Sequence, residues 1–232
     1  MKISLSLLRR MSVGRQLALA FAVVLCLTGA LGTGSLLALR EVQTHALELD
    51  DKWLEGVGQL ADVRTALVEA RELEIKHSRS TDGSYHAEYE EKLGATLSVI
   101  DKALASYKGK VASDGERERF NAVTKSLQAY QKATEKVVAL GRDKKQQDAA
   151  DISDGLGSTT YDETLGALTT LTKFNFKGGH RAALTVAETY AQARWVVIGL
   201  MGAALLLGLG MAMLITRHLI GQLGGEPATA VA

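Results

Sequence analysis

Two stretches without a single charged side chain decide what this chain can fold into. They are Leu17 to Leu39 and Trp195 to Thr216. Each is about 22 residues, or roughly 33 Å as a helix, which is the thickness of bilayer hydrocarbon. Uncharged helical runs of this length are read as transmembrane spans rather than core helices. The first run exceeds the about 7–15 residues of a signal-peptide apolar region, and no clean Ala-x-Ala site follows it. It is therefore expected to stay in the mature chain.

Basic residues set the orientation. Lys2, Arg9, Arg10 and Arg15 precede the first run, whereas Arg40 and Lys52 are the nearest after it. The N-terminus is expected in the cytoplasm, by the excess of Lys and Arg on that side. Two spans return the chain from Arg217 and His218 to the same side. The expected division is 1–16 cytoplasmic, 17–39 first span, 40–194 extracytoplasmic, 195–216 second span and 217–232 cytoplasmic again. This places the protein in the inner (cytoplasmic) membrane, in contact with lipid, with Tyr190 and Trp195 at the outer interface. Gly29, Gly32 and Gly34 in one span and Gly199, Gly202, Gly208 and Gly210 in the other permit close helix approach.

The middle segment reads as helices. Proline is nearly absent, Pro227 being the single one in 232 residues. Apolar residues recur every three or four positions in four stretches. The first runs through Trp53, Val57, Leu60, Val63, Leu67 and Ala70. The second has Tyr89, Leu93, Leu97, Ile100, Leu104 and Tyr107. The third has Phe120, Val123, Leu127, Tyr130, Thr134 and Val137. The fourth has Tyr161, Leu165, Leu168 and Thr172, then Ala182, Val186 and Thr189, weakened by Asn175 and Gly179. No stretch alternates with period two, so no sheet is expected.

Ser80 to Ser84 and Ala112 to Gly115 mark turns. The break between Gly141 and Gly157 is less defined. A structureless loop of that length is unusual, so flanking helix is expected to extend into it. Thr160 to Glu163 has the form of a capping box but fits mid-helix better. The expected fold is all-α: an antiparallel up-down-up-down four-helix bundle whose first and last helices continue into the two transmembrane helices.

Several functions lack a basis. A net charge of +1 without a basic stripe gives no reason to expect nucleic acid. The lone Cys26 can build neither a disulfide framework nor a thiolate metal site. His77 and His86 flank the first turn beside Asp82 and Glu88, but the spacing fits no familiar metal pattern. No nucleophile elbow or related catalytic motif occurs. No cofactor, no metal and no enzymatic activity are expected.

The order span, helical extracytoplasmic domain, span resembles bacterial methyl-accepting chemotaxis receptors with a four-helix-bundle ligand-binding domain. Thr216 to Pro227, with its Leu-Gly-Gly-Glu-Pro string, looks like the opening of a HAMP linker, and Val63 to Glu74 looks like that family's first bundle helix. The chain stops inside the first helix of such a linker, so a fragment or a truncated gene product is expected. The resemblance implies a homodimer. It implies cytoplasmic coupling and kinase proteins as partners only through a C-terminal region absent here. A sensor kinase or cyclase input region, or a ligand-free two-span structural protein, remain the alternatives.

Helix arithmetic suggests where a ligand would bind. At 1.5 Å per residue, Arg71, Tyr89, Lys92, Thr160 and Tyr161 fall at a similar height, roughly 50 Å from the spans. Arg64 lies two turns below Arg71 on one face. A guanidinium beside an apolar seam suits bidentate capture of a carboxylate. In the resembled aspartate-type receptors, helix-one arginines from both subunits hold the ligand's carboxylates, and the start of helix four adds a hydroxyl. The matching positions here are Arg64, Arg71, Thr160 and Tyr161, with Tyr89 nearby. The competing reading is a surface arginine paired with Glu69, Glu72 or Glu74.

Overall fold

The computed structural model describes residues 13–223, and every regular element within them is helical. The elements are α1 (Val13–Glu48), α2 (Glu55–Arg79), α3 (Gly83–Lys108), α4 (Asp114–Arg142), α5 (Gln146–Ile152) and α6 (Ser158–Leu223). A π-helical turn, Leu49–Leu54, joins α1 to α2, and a second, Ser153–Gly157, joins α5 to α6. Lys2, Arg9 and Arg10, and the Gly224–Pro227 part of the linker-like string, lie outside the described residues.

The chain divides into two compact units. One comprises the chain up to His45 and from Thr185. Its helices carry exposed Phe21, Leu25, Leu36, Leu205 and Leu206, an apolar exterior that suits lipid rather than water. Both helices are long and apolar enough to cross a membrane. They meet within this unit at Gly34, where an added Cβ would lie 3.5 Å from Leu200.

The other unit, Ala46–Leu184, is the four-helix bundle. Its core follows the seam read from the sequence, with Leu60, Val63, Leu67 and Ala70 of α2, Leu93, Ile100 and Leu104 of α3, Phe120, Val123 and Leu127 of α4 and Leu168 of α6, and on α6 Leu171 is buried where Thr172 was expected. Burying each large aliphatic side chain contributes about 1.5–3 kcal/mol, so this seam is the main source of stability. The direction alternates. The end of α2 meets the start of α3 where His77 reaches Glu90, and the end of α3 meets the start of α4 where Tyr107 reaches Glu116.

Local chemistry sets the helix ends. Asp82 caps α3 by accepting from the Ser84 N–H at 2.8 Å. Ser113 accepts from the Glu116 N–H, while Glu116 accepts from the Ala112 N–H, a reciprocal cap. The third break is short and falls at Asp143–Lys145. There Lys144 adopts φ 59°, and Lys145 N–H donates to the Leu140 carbonyl at 2.9 Å. That closure normally uses glycine at the left-handed position. Helix therefore fills most of 141–157, and Thr160 to Glu163 sits mid-helix.

Asn175 and Gly179, which interrupt the apolar spacing of the fourth stretch, leave its helix unbroken. Asn175 is buried and donates to the Tyr107 hydroxyl and the Leu171 carbonyl. Gly178 and Gly179 leave room for the Trp53 side chain, which an added Cβ at Gly178 would overlap.

Candidate functional site

Arg71 projects from α2 into the bundle, with only 12 % of its side chain exposed. Its Nη1 is paired with Glu74 one turn on. Nη1 also reaches the Ser153 hydroxyl at 3.2 Å, and Nη2 donates to the Ser153 carbonyl at 3.1 Å. The π turn at Ser153–Gly157 makes this possible. It presents Ser153 to α2, and a side chain at Gly157 would put its Cβ 3.0 Å from Nη1. The guanidinium carbon lies 6.0 Å from the Tyr161 ring centroid, and the Tyr130 ring meets Tyr161 edge-on at 6.1 Å.

Glu74 is fully buried. Burial raises its carboxyl above the ordinary carboxylate range, against the opposing pull of Ser153 and Arg71. Burial, then the nearby Glu74, likewise push the Tyr130 phenol upward. Glu74 Oε1, the Tyr130 hydroxyl and the Thr134 hydroxyl are buried without a protein partner. The result is a buried polar cluster inside an apolar seam, assembled from α2, α4, the π turn and α6.

The residues singled out from sequence are dispersed relative to this cluster. Arg71 and Tyr161 come together. Thr160 is buried beside them, but its hydroxyl donates to the Leu156 carbonyl at 2.8 Å within its own helix. Arg64 is exposed on the outer face of α2. Tyr89 is half-buried on α3 and stacks on Tyr85 at 6.1 Å, while Lys92 pairs with Glu88 at 2.5 Å. Of the competing reading of Arg71, the pair with Glu74 is found, but the side chain is buried rather than on the surface. Ser153 and Tyr130 escaped sequence reasoning. Ser153 lay in the ill-defined break, and Tyr130 read as a seam aromatic with no cue that its hydroxyl would be interior.

A groove of about 230 Å³ runs elsewhere, between α3 and α4, lined by Asp101, Leu104, Lys108, Phe120, Leu127 and Gln131. Among the described residues no cluster of three His, Cys, Asp or Glu side chains could hold a metal ion.

The fold is an all-helical bundle with a buried polar cluster, in a chain with two helices long and apolar enough to cross a membrane. Over residues 10–190 the chain matches the family described as a four helix bundle sensory module for signal transduction, and it belongs to that family. Comparison with curated proteins and with solved structures gave no match.

Proposed function

We propose that the chain is the input module of a transmembrane chemoreceptor that detects a small molecule outside the cytoplasmic membrane. In this reading the spans are 17–39 and 195–216, and residues 40–194 are the extracytoplasmic sensor. Residues 217–232 open a HAMP linker. The chain is not an enzyme. The family match carries the sensing role, and the excess of basic residues before the first span supports the orientation.

The ligand is a small carboxylate, an organic or amino acid, taken at Arg71 with the Tyr161 ring beside it. Thr160 is buried next to Tyr161, and Arg64 and Tyr89 are the further positions that the sequence offers. Two copies dimerise through the first bundle helix, and ligand favours one of two helix packings. Interfaces of this kind shift by about 1–2 Å between discrete arrangements. The ligand can drive the shift only as far as its affinity differs between the two packings. The displacement passes along α6 to the linker and thence to the coupling and kinase proteins.

A second reading, a module that binds no small molecule itself and answers to a partner protein, draws on one observation: Arg71 already has Glu74 and Ser153 as partners. Calorimetry on the full chain in nanodiscs separates the two. Mono-, di- and amino-carboxylic acids are titrated into wild type and Arg71→Ala. Saturable binding that weakens at least tenfold in the variant supports capture at Arg71. Silence across the whole panel, or equal affinity in a variant that keeps its helical circular dichroism, refutes it. Fusing the segment to a chemotaxis receptor's cytoplasmic half tests the output: a ligand-dependent response supports sensing, and a ligand-independent, locked response opposes it.

A further inference from the structure

At the Ser80–Asp82 end of the bundle, two imidazoles are stacked in the interior. The His77 and His86 ring centroids lie 4.4 Å apart with planes inclined by 22°. His77 is fully buried and His86 nearly so. His77 Nε2 is 3.0 Å from Glu90 Oε1, and His86 Nε2 is 2.8 Å from the Ser80 carbonyl. A carboxylate and a carbonyl can only accept, so both rings carry their hydrogen on Nε2. His77 Nδ1 is buried without a partner. It faces Gly141, where an added Cβ would sit 2.5 Å from His77 Cε1 and 2.9 Å from Nδ1. The closed packing thus accommodates a neutral ring edge and offers no acceptor for a second N–H.

The surrounding charges are already matched. Glu90 of α3 takes a paired contact from Arg142 of α4, with Nε 3.0 Å from both of its oxygens. Asp82 in the turn is held by Ser84. On α2, Glu74 is paired with Arg71, and Arg79 reaches Asp154 at 3.0 Å. From α5, neutral Gln146 bonds the Gly141 carbonyl. A proton added to His77 would place a positive charge beside the stacked His86 ring and Arg142, with Glu90 shared between His77 and Arg142.

We propose that the stacked His77–His86 pair is a second sensory site, one whose ligand is the proton, and that acidification opens this end of the bundle. The pair clasps the α2–α3 turn through Ser80 and joins it to the α4 terminus through Glu90 and Arg142. Opening separates the rings, frees the turn and loosens the α4 end. Burial is the main reason His77 stays below the usual histidine range, with His86 and Arg142 adding to the effect against Glu90. The sign follows. Above the ordinary histidine range both open and closed forms are neutral. As pH falls through that range, the open form takes up a proton before the closed form does, so acid favours opening. The site shares no residue with the Arg71 cluster and stands whether or not a carboxylate binds there.

The test uses the full chain in nanodiscs, with hydrogen exchange over residues 77–90 corrected for the intrinsic pH dependence of exchange. Protection is expected to fall at least tenfold from pH 7.5 to pH 5.5 in wild type. In His77→Gln, which keeps an N–H for Glu90 and cannot titrate, protection is expected to stay within threefold. Wild-type protection that is flat with pH overturns the proposal, as does a His77→Gln variant that matches wild type at pH 7.5 and still opens with acid. Histidine NMR in His86→Asn provides a second measurement. Loss of the neighbouring imidazole should raise the His77 midpoint, and an unchanged or lower midpoint overturns the pairing.

Discussion

Arg71 and Glu74 look like equal partners, yet removing one should cost far more than removing the other. Glu74→Gln loses a charge-assisted hydrogen bond, about 1.5–3 kcal/mol. It also removes a buried anion whose Oε1 has no partner, an opposing gain of about 1–3 kcal/mol. Arg71 keeps the Ser153 carbonyl and hydroxyl. The net change is expected within about 1 kcal/mol. Arg71→Gln instead strands the Glu74 carboxylate in the seam, a loss of about 3–5 kcal/mol. That loss should depend on pH. The folded-state pKa of Glu74 already lies above its unfolded value and rises further without Arg71. Stability is then greatest below the unfolded value and falls as pH climbs toward the folded one. From pH 7.5 down to 5.0, Arg71→Gln should therefore regain stability relative to wild type. Urea unfolding of the full chain in micelles, followed by Trp53 fluorescence in a Trp195→Phe background, measures both. The reasoning fails if Glu74→Gln is the more damaging change at pH 7.5, or if the Arg71→Gln deficit is constant with pH.

Three further outcomes are expected from the same measurement. Within α6, Gly166→Ala meets open space and should stabilise by up to about 1 kcal/mol through helix propensity, whereas Gly178→Ala displaces Trp53 and should destabilise by about 1–3 kcal/mol; shifts of the same sign would refute the packing. Tyr107→Phe removes the hydroxyl that donates to buried Glu116 at 2.7 Å and accepts from Asn175, and should cost about 1–3 kcal/mol; a neutral result would mean the network is not formed. Lys144→Gly relieves the left-handed backbone at φ 59° and should gain about 0.5–1 kcal/mol, with a loss counting against the assigned helix closure.

The bundle was legible because its seam is written in side chains that have no alternative to burial. All six seam positions read on the third helix, Phe120 through Val137, are interior. The turns at Ser80–Asp82 and Ser113 were legible for the same kind of reason, since Asp and Ser cap by a short-range bond fixed in the local sequence. The third break was legible only as a broad stretch because its closure uses Lys144 in a conformation that glycine normally supplies. Gly141 and Gly157 drew attention as breakers, yet both are helical and small for tertiary reasons, one beneath His77 and one beneath Arg71. Composition cannot distinguish a glycine that bends a chain from one that admits a neighbour's ring.

The site was less legible, and the reason is angular. Positions seven apart on a helix are offset by only about 20°, so Arg64 and Arg71 read as equivalent. The structure separates them: Arg64 is exposed, while Arg71 is drawn inward by Ser153 from a distant part of the chain. What decides between a surface arginine and a buried one is therefore the partner supplied by the π turn, which helix periodicity does not encode. The same holds at the other cluster, where His77 and His86 were legible as neighbours across a turn but their stacking depends on Gly141. In both places an interior polar side chain is tolerated because a glycine on the facing element leaves space for it. Filling either space with a methyl group should disturb the polar cluster before it disturbs the apolar seam.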